Sequence, residues 1–193
     1  MRTLFIFIIF SFLLNLLKYG RAEEKNKIPI NLIQNASFEE INEKGIPVKW
    51  GFEGLEFKIE DLKEKGKVIK LTLLPNKEYG AFFSSMFEIE PGVEYYVEFT
   101  LKKDGGFRLI PMIVFWPGTR EKRKEVLVTN FPAYPGNINP VEEFKVFYGV
   151  VKAPEETEFK QAYIRFYLDW FRQEKIESKN LYIRDIKVYR VEK

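Results

Sequence analysis

The sequence predicts an all-β fold, an antiparallel β-sandwich. Aromatic residues make up 17% of the chain, with 19 Phe, 10 Tyr and 3 Trp, a composition that favours strands. Short runs alternate apolar and polar side chains, with almost no helical periodicity. Gly, Pro and Asn turn signals separate those runs at intervals of roughly 10–20 residues, the spacing of a sandwich.

Taken in order, Phe57-Lys58-Ile59-Glu60 alternates as a strand, although the charged stretch from Leu55 to Lys67 mimics a helix. Val68 to Leu73 is the next strand. Met86–Ile89 and Val93–Leu101 are split by Pro91-Gly92, a turn in which Gly92 takes the positive φ. Phe107 to Trp116 is a long apolar run whose Pro111 predicts a bulge or an edge position. Val126 to Thr129 is short. Phe144–Lys152, Gln161–Trp170 and Leu181–Val191 complete the set. Phe38 and Trp50 are expected in the core. The longest irregular stretch, Asn130 to Pro140, is stiffened by three prolines, and long ordered loops tend to carry function.

Residues 1–22 read as a secretory signal. Arg2 gives a basic start, Leu4 to Leu17 is apolar apart from Ser11 and Asn15, and Gly20-Arg21-Ala22 offers a cleavage site. The apolar run is shorter than the ~20 residues of a membrane span. An uncleaved anchor is the alternative, and the only route to a membrane. Residues 23–30 form a short polar tether, and 31–193 the domain.

Charge narrows the function. The chain has 31 basic and 28 acidic side chains. Cleavage after Ala22 would remove Arg2, Lys18 and Arg21 and leave 28 of each, so nothing argues for nucleic acid. The basic run Arg120-Glu121-Lys122-Arg123-Lys124 reads as a solvated hairpin tip rather than a polyanion site. Glu outnumbers Asp 24 to 4, which with abundant Lys and few amides fits a thermophile. With no Cys and no His, disulfides, thiolate and imidazole metal sites and His-dependent triads are excluded.

A family resemblance emerges from several segments. Asn31-Leu32-Ile33-Gln34-Asn35-Ala36-Ser37-Phe38-Glu39-Glu40, then Gly45-Ile46-Pro47-Val48-Lys49-Trp50, resembles the opening of the carbohydrate-binding modules of families 4, 9 and 22. Phe87 to Phe99, with its central Pro-Gly turn, is similar to a strand, turn and Tyr-bearing strand of that group. Val151 to Thr157 resembles its Ala-Pro segment, and Leu181 to Val188 its last strand. The segments occur in family order over nearly all of 31–190. The resemblance implies a galactose-binding-like jelly roll; the fold alone does not imply a sugar.

Sugar rings present apolar C–H faces that stack on aromatic rings, and a covered Trp or Tyr buries ~150–250 Å². Trp116 and Trp170 each end a strand. If residues 162, 164, 166 and 168 face the core, then Tyr163, Arg165, Tyr167 and Asp169 face outward and offer rings, a bidentate donor and an acceptor. Tyr134 lies in the Pro-rich loop. Trp116, Trp170, Tyr167, Arg165 and Tyr134 are the expected ligand-binding residues. The alternative is that the indoles only pack and the row is a solvated face; a bulge would invert the parity.

The resemblance also implies a structural calcium ion held by Glu39 and Asp185. Arg184 replaces the usual first acid, which leaves a Glu39–Arg184 ion pair as the alternative. Catalysis is not expected: no paired-acid motif stands out, and Glu88, Glu90, Glu94 and Glu98 fit the solvated parity of two strands. The expectation is an exported, non-catalytic module that binds a polysaccharide or oligosaccharide by aromatic stacking. The rival is a cell-surface structural or protein-interaction domain.

Overall fold

Alternation along β10 (Gln161–Asp169) shows how the side chains divide. Ala162, Ile164, Phe166 and Leu168 are fully buried, while Tyr163, Arg165 and Tyr167 are half-buried on the opposite face. This is the parity the sequence predicts. It holds because β10 is central and its register with both neighbours runs without a break.

A computed structural model describes residues 29–62, 66–74, 77–104, 107–128, 141–169 and 180–192. The unit Asn31–Lys193 holds the other strands: β1 (Trp50–Glu53), β2 (Leu55–Asp61), β3 (Lys67–Leu73), β4 (Tyr79–Ser84), β5 (Phe87–Glu88), β6 (Glu94–Asp104), β7 (Arg108–Trp116), β8 (Lys124–Leu127), β9 (Val141–Lys152) and β11 (Asn180–Arg190). All pairings are antiparallel. One sheet has the order β1-β4-β10-β7-β8, with β5 also on β10; the other has the order β2-β3-β11-β6-β9. The fold is the expected antiparallel jelly-roll sandwich.

The core lies between the sheets. Phe99 of β6 meets Phe166 of β10 edge to face, centroids 5.2 Å apart. Burying each such ring contributes about 1.5–3 kcal/mol. Trp50 is core, as expected. It stacks on Phe82 at 4.5 Å, and its indole N–H donates to the Asn35 carbonyl at 2.9 Å.

Three local features differ from simple expectation. β4 has no counterpart among the predicted strands because Gly80 and Ala81 blunt its alternation; a Cβ on Gly80 would lie 2.3 Å from Leu55 Cδ2, so the sheets touch there. Pro111 makes no bulge, since β7 keeps register with β10 throughout. It takes the edge alternative instead: its carbonyl accepts from Val128 N on the side where β8 has just ended, so the missing N–H faces away from β10 and leaves that ladder whole. The third is a bulge in β11. Its register with β6 shifts between Arg184 and Lys187, and Asp185 sits at φ 53°.

Candidate functional site

The outward face of the first sheet carries the site. Its residues fall in rows across the strands. Gly51, Phe83, Arg165 and Met112 make one row, and Glu53, Ala81, Tyr167 and Ile110 the next. Small side chains alternate with rings. Gly51 has no Cβ because that atom would lie 2.3 Å from Phe83 Cε2, so the Phe83 ring rests on the β1 backbone. Tyr163 meets Phe83 edge-on, centroids 6.4 Å apart. Between these rings and the β7–β8 hairpin opens a cleft of about 470 Å³. Ala81, Ser84 and Ser85 leave its floor low, and Phe83, Tyr163 and Trp116 stand around it.

The polar groups of the cleft are fixed by their neighbours. Arg165 lies across the Tyr167 ring, 5.1 Å from its centroid, and Nη1 reaches Glu125 Oε1 at 3.3 Å. Arg123 Nε reaches the same oxygen at 2.9 Å. Tyr79 stacks on Tyr167 at 5.8 Å and donates its hydroxyl to Glu53 Oε1 at 3.1 Å. Burial, then the Asp169 charge, pushes the Tyr167 hydroxyl up, so it stays neutral at ordinary pH. Asp169 is not an open acceptor. Arg108 holds both of its oxygens, with Nε donating to Oδ1 at 2.8 Å and Nη2 paired to Oδ2.

Of the sequence-predicted ligand residues, Trp116 and Arg165 line this cleft. Tyr167 shares the face one row away, against Tyr79. Trp170 and Tyr134 lie outside the described residues. Trp116 also borders a second hollow of about 670 Å³, lined by Glu88, Pro91, Glu158 and Lys160 among others. Sequence reasoning missed Phe83 and Tyr79, because β4 itself was not recognised; the aromatic content of Tyr79, Phe82 and Phe83, which favours a strand, is the signal that could have found them. It read Arg120 to Lys124 as a solvated hairpin tip, and Arg120 is indeed exposed there, with Arg123 half-buried. Both line the cleft, and only the fold of the hairpin over the sheet reveals this.

The residues present do not fit the calcium ion that the resemblance implies. Glu39 pairs with Lys67 at 2.6 Å and Asp185 with Arg184 at 3.3 Å, so the Glu39–Arg184 pair is not formed either. Lys187 lines the same hollow as Glu39 and Asp185. Asn35 Nδ2 donates to the carbonyls of Glu40 at 2.7 Å and Val48 at 2.9 Å, and Asn31 Nδ2 to that of Ile186 at 2.9 Å. Amide N–H groups thus already engage the carbonyl oxygens of Glu40 and Ile186, two residues that border the hollow. Among the described residues no three acidic side chains come together for a metal.

No family model and no curated protein matches the chain. Solved structures do. A xylan-binding module of family 22 from Paenibacillus barcinonensis superposes with a TM-score of 0.53 at 13% identity, covering 77% of this chain and 96% of that one. A family 61 module in complex with β-1,4-galactotriose gives 0.52 at 16% identity, covering 84% and 99%. The enzymatically active domain of tailspike protein 4 from bacteriophage CBA120 gives 0.58 at 16% identity; the match covers 84% of this chain but 22% of that one. The fold is therefore the jelly roll of carbohydrate-binding modules, and it matches about a fifth of the tailspike domain.

Proposed function

We propose that this is an exported, non-catalytic carbohydrate-binding module that takes a polysaccharide or oligosaccharide into the cleft by stacking on its rings. The observation that carries the reading is the meeting of Trp116, Phe83, Tyr163 and the Arg165 guanidinium around one hollow on a rigid sheet. Rings cover sugar C–H faces, and a few fixed donors select hydroxyl orientation. The neighbours named for xylan and galactotriose support the class of ligand without choosing the sugar. The basic, apolar leader supports export. Glycoside hydrolysis uses two facing carboxyl groups; Glu53 is the one carboxylate among the described lining residues, and Tyr79 binds it.

Calorimetry and affinity electrophoresis of the folded protein against β-glucans, xylans, mannans and galactans test this. Saturable binding to at least one is expected, with no release of reducing ends. A folded sample that binds none overturns the reading. Stability should be independent of calcium: the melting midpoint is expected to be the same with chelator and with added calcium, and a rise with calcium would restore the metal.

A second reading has its own observation. β9 is an edge strand of the second sheet and leaves Val146, Tyr148 and Val150 about half exposed, a surface suited to a protein partner. Pull-down of a defined partner that Val146→Lys abolishes, together with no glycan binding, would favour it.

A further inference from the structure

The basic tip of the β7–β8 hairpin has a role that a neutral sugar does not require. Arg120 and Arg123 from the tip and Arg165 from β10 converge on one cleft, beside the rings of Trp116, Phe83 and Tyr163. Two carboxylates accompany these three guanidiniums. Glu53 lines the cleft and accepts from the Tyr79 hydroxyl. Glu125 offers a single oxygen to both Arg123 and Arg165. Each guanidinium has five N–H donors, and the contacts to Glu125 engage one nitrogen of Arg123 and one of Arg165. Arg120 is exposed, and none of its described contacts is an ion pair. Its backbone carbonyl accepts from Arg123 N at 3.4 Å and closes the turn that holds both side chains at the rim.

Neutral sugar hydroxyls are well served by amides, hydroxyls and one charged donor. Three guanidiniums against two carboxylates leave one positive charge in excess at the mouth, which hydroxyls do not neutralise. A planar guanidinium matches a carboxylate or a sulfate ester two bonds at a time. The rings beside them supply the platform for the sugar that carries the anion.

We infer that the cleft selects an anionic glycan, one whose sugar units carry an oxyanion as a uronate carboxylate or a sulfate ester. The inference rests on the carbohydrate-binding function proposed above and narrows it.

The test is calorimetry of the full chain, at low and at raised salt, against polygalacturonate and alginate for carboxylates, dextran sulfate for sulfate esters, and xylan and galactan as neutral controls. An anionic glycan is expected to bind at least 10-fold more tightly than either neutral one. Affinity should fall steeply with salt as paired charges are screened. Arg120→Gln should weaken anionic binding about 10-fold and flatten the salt dependence, with an unchanged melting midpoint because the side chain is exposed. Trp116→Ala should weaken it as well, which diffuse attraction to a basic surface would not produce. The tighter arm, uronate or sulfate, identifies the source of the anion. Binding to a neutral glycan that is as tight, and indifferent to salt and to Arg120→Gln, overturns this inference and leaves the carbohydrate function standing. Tighter binding of single-stranded DNA than of any glycan overturns it also. No binding to any glycan removes the underlying function.

Discussion

The two outer faces of the sandwich are both rich in aromatic rings and use them in opposite ways. On the second sheet Tyr96 lies between Tyr148 and Tyr189, at 5.9 and 6.4 Å, tilted by 27° to the first and nearly parallel to the second. Tyr182 faces the ammonium groups of Lys70 and Lys102 at 5.6 and 5.2 Å. Those rings satisfy one another and their cations. On the first sheet Tyr79 and Tyr167 also stack, but Phe83, Tyr163 and Trp116 stand around a hollow in which the small residues Ala81, Ser84 and Ser85 leave room. An aromatic cluster becomes a candidate binding site when small residues alternate with it; packed ring on ring, it becomes a brace. Counting rings in a sequence does not distinguish the two cases.

The sharpest way to break this comparison is to delete one ring from each face. Trp116→Ala should cost about 2 kcal/mol of glycan affinity, roughly 30-fold. Tyr96→Ala removes a ring of similar size and should leave affinity unchanged while lowering the melting midpoint. Calorimetry and thermal unfolding on both variants check this. Equal effects on binding would mean that the first face is not the site.

How much of this was legible in the sequence follows the same division. Strict alternation over 161–169 fixed which side chains of β10 face outward, and Trp50 and Phe38 announced themselves as core. The placing of Trp116 at a strand end was also readable. The cleft itself was not, because it depends on β1 meeting β4 and β4 meeting β10, pairings across 28 to 90 positions of sequence in the registers Gly51↔Phe83, Glu53↔Ala81 and Asp169↔Tyr79. Gly51 carries no periodic signal, yet it decides where the Phe83 ring lies. The calcium expectation came from a resemblance that matched Glu39 and Asp185 but was blind to Lys67, which pairs with Glu39 from β3, and to the pairing of Arg184 with Asp185 in β11.

Gly51 offers an intermediate test. Gly51→Ala puts a methyl group 2.3 Å from Phe83 Cε2. The ring is the far end of a flexible side chain, so it should swing into the cleft rather than break the strand. We expect a loss of about 1 kcal/mol in stability and a fall in glycan affinity of about 5-fold. The double variant Gly51→Ala/Phe83→Ala should recover part of the stability, because the clash is gone. Denaturant titration and calorimetry separate the two effects. A Gly51→Ala protein with unaltered affinity would show that the position of the Phe83 ring is irrelevant to binding.

The smallest expected effect lies on the braced face and concerns acid. Glu98 accepts Lys187 Nζ at 2.6 Å on one oxygen and the Tyr96 hydroxyl at 2.7 Å on the other. Burial pushes this carboxyl up, but the bonds from Lys187 and Tyr96 outweigh it and hold it below its ordinary value of 4.5. Burial and the same carboxylate push the Tyr96 hydroxyl up to about 12, so that hydroxyl remains a donor across the working range. A carboxyl lowered by folding adds stability that is complete above its ordinary value and is lost as pH falls through its lower folded value. Between about pH 5 and pH 3 the natural protein should therefore lose about 0.5–1 kcal/mol more than Glu98→Gln does, a modest figure because the group is partly screened by solvent. Urea titrations at the two pH values measure it. If the brace is only structural, glycan affinity measured at pH 5 is identical in the two proteins, and an affinity that follows Glu98 would show that the faces are coupled through the core between Phe99 and Phe166.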